Sequence, residues 1–118
     1  MAGLKEESIP HKSLLYGEDY VRHGIIIHEG PLDVWRTGPG AVATLGTGYS
    51  QAQVNRMVNY PTRAICFDNE REAQKRARKL LNDLSAFPGM TYNIILSGKD
   101  AAETSEKEVK ELRRRFLE

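Results

Sequence analysis

Residues 24–33 read Gly24-Ile25-Ile26-Ile27-His28-Glu29-Gly30-Pro31-Leu32-Asp33, a β-prone run that ends abruptly in an acid, a glycine, a proline and a second acid. Three isoleucines in succession are apolar on both faces of a strand, not on one. A strand of that kind belongs inside a parallel sheet with helices on either side. Three further runs share this character: Ala41 to Leu45, Arg63 to Phe67 and Thr91 to Leu96. The gap between each pair is long enough for a crossover connection.

The gaps carry helical periodicity. Between Glu70 and Phe87, Ala73, Ala77, Leu80, Leu81 and Leu84 fall on one stripe, while Arg71, Lys75, Arg78 and Lys79 lie mostly off it. Ser50 is placed to cap a helix over Gln51 to Tyr60, where Val54, Met57 and Val58 share a face and Tyr60-Pro61 ends the element. Ser105 and Glu108 have capping-box spacing ahead of Val109, Leu112 and Phe116. A short helix fits between the first two strands. The expected class is α/β: a Rossmann-like parallel sheet of about four strands flanked by helices. One sequence leaves the strand order open.

At 118 residues the chain has the length of one ordinary domain. The division expected is an arm or lead-in over residues 1–22 and one domain over 23–118. Seventeen Lys and Arg against 16 Asp and Glu leave a net charge of +1, so the chain as a whole is no basic nucleic-acid clamp. The single cysteine, Cys66, excludes an internal disulfide framework and a cysteine-rich zinc site. No apolar stretch approaches the roughly 18 residues that cross a bilayer. Met1 to Glu7 has no signal-peptide character. The expectation is a cytoplasmic protein with no membrane partner.

Ligands of open parallel sheets bind beyond the carboxyl ends of the strands. Here those exits are acidic: Glu29 and Asp33 after the first strand, Asp68 and Glu70 after the third, Asp100 after the fourth. One acid at a helix start is usually a cap. Five at one sheet edge would repel one another, raising their pKa values unless a cation neutralised them. An all-oxygen set favours Mg²⁺, with Mn²⁺ able to substitute. The implied chemistry is phosphoryl or nucleotidyl transfer, or phosphodiester cleavage. Glu29, followed by a glycine that permits close approach, is the candidate acid/base. Leu45-Gly46-Thr47-Gly48 could cradle a phosphate ahead of a helix, but neither a P-loop nor a dinucleotide fingerprint is present.

The spaced set Glu29-Gly30-x-x-Asp33, Leu45-Gly46-Thr47, Phe67-Asp68-x-Glu70 and Gly98-Lys99-Asp100 closely resembles the Toprim domain, in particular that of bacterial (DnaG-type) DNA primases and their phage relatives. The similarity runs from Lys12 to about Phe116 and includes the lead-in His11-Lys12-Ser13-Leu14-Leu15-Tyr16-Gly17. It implies a Toprim fold, Glu29 in acid/base work, metal on Glu29, Asp33, Asp68, Glu70 and Asp100, and nucleotide or nucleic-acid contacts from Lys12, Gly30, Gly46, Thr47 and Lys99. It further implies Mg²⁺-dependent primer synthesis, with single-stranded DNA and nucleoside triphosphates as partners, beside a helicase or further primase subdomains. The setting implied is a bacterial or phage-infected cell. Glu70 stands where the family's Asp-x-Asp pair has its second aspartate, and Ala102 where primases often carry another acid. The chain has neither the cysteines of a zinc-binding template reader nor the length of a whole primase, so the implied activity is that of a part. A stand-alone metal-dependent nuclease and a non-catalytic nucleic-acid or partner-binding module are the competing readings.

The remaining chemical groups carry plainer expectations. His28 should be a satisfied interior imidazole, Cys66 a buried small hydrophobe and Trp35 a packing anchor. Tyr16 and Tyr49 should pack their rings on the core. Arg113-Arg114-Arg115 should complement a helix dipole, and Arg71, Lys75, Arg76, Arg78 and Lys79 should form a solvated face.

Overall fold

The computed structural model describes residues 14–21, 23–46 and 48–118. Four strands, β1 (Gly24–His28), β2 (Ala41–Ala43), β3 (Thr62–Ile65) and β4 (Met90–Asn93), form one sheet in the order β2-β1-β3-β4 with every pairing parallel. Among the described residues four α-helices connect and close it: α1 (Pro31–Thr37), α2 (Gln51–Met57), α3 (Arg71–Leu84) and α4 (Glu106–Leu117). Short 3₁₀ turns occupy Glu18–Tyr20 and Ala101–Glu103. No described helix is long and apolar enough to cross a membrane.

The isoleucine run explains the layering. Ile25 and Ile27 face one way, into a core with Val54, Met57, Ala77 and Leu80 of α2 and α3; Ile26 faces the other, toward Val34, Leu112 and Phe116 of α1 and α4. Every residue of β1 is buried, as a strand covered on both faces requires. The sheet is thus the middle of three layers, with β1 and β3 at its centre. Gly24 is needed where β1 starts, because a Cβ there would lie 2.3 Å from the Phe116 carbonyl oxygen.

Local signals act as expected at the helix starts. Pro31 occupies the first turn of α1, and Ser50 and Gln53 complete a reciprocal capping box on α2. Ser105 caps α4 by accepting from the Glu108 amide, but the box is half formed: Glu108 instead accepts from the Ser97 amide at 2.9 Å and from the Ser97 hydroxyl, tying α4 to the loop beyond β4. Boundaries are shorter than the sequence predicts. β2 stops at Ala43, two residues before Leu45 takes a left-handed φ of 63°, and β4 stops at Asn93, not Leu96. α2 ends at Met57 and α3 at Leu84.

His28 and Cys66 match their expectations. His28 is fully buried, with Nδ1 3.0 Å from the Cys66 carbonyl oxygen and Nε2 2.8 Å from the Thr37 hydroxyl. Since a carbonyl only accepts, the proton sits on Nδ1 and Thr37 donates to Nε2. Trp35 does not match. It stands 70% exposed, donating Nε1–H to the Tyr16 hydroxyl at 2.7 Å, because α1 turns Asp33, Val34 and Thr37 inward and leaves Trp35 on its outer side. Tyr16 likewise lies on the surface, bridged to Ala43 through its backbone, whereas Tyr49 does pack against the core.

Burial pushes the Cys66 thiol up to about 12, reinforced by the charges of Asp33, Glu108 and Asp68. At pH 8 its alkylation by iodoacetamide is expected to run about a thousandfold slower than that of an exposed thiol. Mass spectrometry of the native and urea-unfolded chain checks this, and rapid native labelling would contradict the burial.

Candidate active site

Parallel strands deliver their carboxyl ends to one edge, so the exits of β1, β3 and β4 meet there. The loops after β3 and β4 are joined: the Asn69 amide donates to the Lys99 carbonyl at 2.6 Å, and Asn69 Nδ2 donates to the Leu96 carbonyl at 2.9 Å. The acids singled out from the sequence sit on this edge.

Asp68, half-buried just past β3, is the electrostatic centre of the group. Burial pushes its pKa up to about 6, and Asp33, Glu29, Asp100 and Glu70 each push in the same direction. Asp33, buried on the first turn of α1, is also raised, first by burial and then by Asp100; backbone amides of Ala102, Ala101 and Gly30 oppose the rise. Its Oδ1 accepts from the Ala102 amide at 3.3 Å. Asp100 caps the turn Ala101–Glu103, accepting from the Glu103 amide at 2.9 Å. Glu70 is the exposed N-cap residue of α3 and makes no side-chain capping bond.

Glu29 is 9% exposed and is held from a direction the sequence did not indicate. Arg76, on the second turn of α3, donates Nε–H to Oε2 at 2.7 Å and Nη2–H to Oε1 at 3.2 Å. The fork fixes the carboxylate plane. Arg76 is therefore not part of a solvated basic face, unlike exposed Arg71, Lys75, Arg78 and Lys79. No local pattern marks it, since the partner lies 47 residues away across the layer.

The candidate phosphate contacts divide. Gly30, in extended conformation at the N-cap of α1, and Gly46, at φ 127°, flank the edge from the exits of β1 and β2, and Lys99 stands exposed beyond β4. Lys12 and Thr47 lie outside the described residues.

Among the described residues no three His, Cys, Asp or Glu side chains converge tightly enough to hold a metal ion. The donor chemistry nevertheless fits a hard divalent cation: carboxylates only, with Asp68 and Asp33 carrying mutual repulsion that a cation would relieve. Glu29, Asp33, Asp68, Glu70 and Asp100 would supply the ligands.

Comparison with known proteins agrees with the architecture. A family model described as Toprim-like matches residues 26–111. The chain superimposes on the crystal structure of the Aquifex aeolicus primase (zinc-binding and RNA polymerase domains) with a TM-score of 0.76 at 22% identity, covering 92% of this chain and 31% of that one. It superimposes on a DnaG primase catalytic domain bound to single-stranded DNA with a TM-score of 0.70 at 17% identity, covering 92% of this chain and 40% of that one. At these identities the likeness is one of fold. No curated protein sequence matches.

Proposed function

Because the chain belongs to the Toprim-like family, we propose that its acidic edge is a divalent-metal, phosphate-handling centre, and that it works as the Toprim portion of a primase-type nucleotidyltransferase. The observation that carries the reading is Asp68: a carboxyl pushed up to about 6 among four other carboxylates at the exits of parallel strands. Charge crowding of that kind costs stability unless a cation neutralises it, and such perturbed carboxyls cluster at functional sites. The substrates proposed are nucleoside triphosphates on a single-stranded DNA template, and the primase likeness in fold supports that choice. The chain spans about a third of the length of those primases, so primer synthesis is proposed with further subdomains or a helicase alongside. In this reading residues 1–22 are the lead-in and 23–118 the Toprim unit.

A bound Mg²⁺ or Mn²⁺ would neutralise phosphate charge and favour ionisation of the attacking hydroxyl. The chain's own groups do the rest. Asp33, Asp68, Glu70 and Asp100, together with Glu29, would hold the cation. Arg76 orients Glu29, whose Oε1, the more loosely held oxygen, accepts or returns a proton. Gly30 and Gly46 leave room for phosphate near the backbone, and Lys99 with Lys12 supplies positive charge.

Titration of the ¹⁵N-labelled chain with Mn²⁺ tests the site. Saturable broadening of amides around Glu29, Asp68 and Asp100 is expected, with loss of that saturation in Asp68→Asn. Absence of localised broadening at millimolar Mn²⁺ would replace this reading with a non-catalytic binding module. Metal-dependent cleavage of RNA or DNA abolished by Glu29→Gln, without template-directed incorporation, would assign the same acids to a nuclease.

A further inference from the structure

The two edges of the sheet are treated differently. β2 is three residues long, and the backbone of Tyr16 pairs with Ala43 on its outer side. Among the described residues β4 pairs only with β3. The Met90 and Ile94 amides donate inward to Pro61 and Ile65, so the alternation of a strand turns the N–H and C=O groups of Thr91 and Asn93 outward. Exposed edges are normally blunted by charges, proline or a bulge. From Gly89 to Ser97 there is no charged residue and no proline. Met90 and Ile95 stand 58% and 56% exposed on this edge.

The edge is also self-complementary. About Asn93 the sequence is nearly symmetric in character: Tyr92 answers Ile94 and Thr91 answers Ile95. Beside it runs a groove of about 430 Å³ lined by Ile94, Leu96 and the Glu111, Arg114 and Arg115 flank of α4. Glu111 is ion-paired with Arg114 at 2.6 Å on its own exposed helix face, and Arg115 lies over the Tyr92 and Phe116 rings. Glu111 and Arg115 are one helical turn apart, so a two-fold axis that reverses α4 brings the acid of one copy to the base of the other, where it exchanges or shares its partner.

We infer that the edge made by β4 and the two residues after it, Ile94 and Ile95, is a dimer interface occupied by a second copy of this chain, the two edges antiparallel with Asn93 on the two-fold axis, so that pairing extends β4 by these residues and continues the sheet across both molecules. Thr91 pairs with Ile95 of the second copy and Tyr92 with Ile94, covering the exposed apolar edge.

Sedimentation velocity of the 118-residue chain over a concentration series up to about 1 mM, the weak limit of specific association, tests this. A reversible dimer is expected, with concentration-dependent hydrogen-exchange protection of the Thr91 and Asn93 amides. Ile95→Lys, at an exposed position, should weaken the dimer at least about tenfold. Glu111→Arg should weaken it, and Glu111→Arg with Arg115→Glu should restore it. A monomer throughout overturns the inference. So does a dimer indifferent to Ile95→Lys, a charge exchange that fails to restore association, or protection of Thr91 and Asn93 independent of concentration, which would mean another segment covers the edge.

Discussion

Replacing Arg63 by leucine is expected to remove about 3–5 kcal/mol of folding stability, a large share of the roughly 5–15 kcal/mol that a domain possesses. The side chain is fully buried in β3 and has no acidic partner among the described residues. Its donors satisfy backbone and hydroxyl oxygens instead: Nη1 to the Tyr60 carbonyl at 2.8 Å, Nη2 to Pro88 at 3.1 Å and Leu84 at 3.5 Å, and Nε to the Thr91 hydroxyl at 2.9 Å. One guanidinium thus joins the exit of α2, the C-terminus of α3 and the start of β4. Leucine would leave several buried carbonyls without donors and a space that it does not fill. Lysine, with one ammonium in place of a fork, should recover only part of the loss. Urea unfolding followed by circular dichroism checks this at unchanged slope, and a loss below about 1 kcal/mol would show that water replaces the clamp.

The second large effect concerns pH, measured with chelator present so that no cation screens the acids. Burial lowers His28 from its ordinary value to about 4, against weaker opposing help from the Cys66 carbonyl and Asp100. A base whose folded pKa is depressed binds its proton more readily when unfolded. The fold therefore keeps its full stability above pH 6.5 and loses about 3 kcal/mol as pH falls from 6.5 to 4. Asp68 acts oppositely. With a folded pKa of about 6, raised first by burial and then by Asp33 and the other acids, it takes up a proton earlier folded than unfolded, so acidification from pH 6 toward 4 stabilises. Asp33, also raised, adds in the same sense. Solvent reaches Asp68 and reduces its share. The expected wild-type profile is flattened across this window by cancellation. Asp68→Asn removes the compensating carboxyl, so that variant should be more stable than wild type at pH 7 and decline more steeply toward pH 4. Parallel profiles for the two proteins would contradict the linkage.

The same variant sharpens the metal experiment, because loss of Mn²⁺ binding in a protein that is more stable at neutral pH is not loss of fold.

The element order, the parallel class of the sheet and the acidic exits were all legible in the chain read residue by residue. Each rests on local information. Consecutive isoleucines cannot be hidden by a one-sided sheet, Ser50 and Ser105 cap whatever follows them, and the residue after a strand lies at that strand's end. The positions of Glu29, Asp33, Asp68, Glu70 and Asp100 were legible for that reason. Their electrostatic coupling needed the order β2-β1-β3-β4, which places β1 beside β3 and was not legible. Three further features were settled only by the tertiary structure. Arg76 reaches Glu29 because α3 packs over the exit of β1. Trp35 faces outward because Val34 and its inward neighbours already fill the inner side of α1. β4 is an edge, with an open side, because no described strand follows it in the sheet. In each case the deciding contact joins residues far apart in the chain, and no periodicity or spacing within one segment encodes which distant segment will arrive.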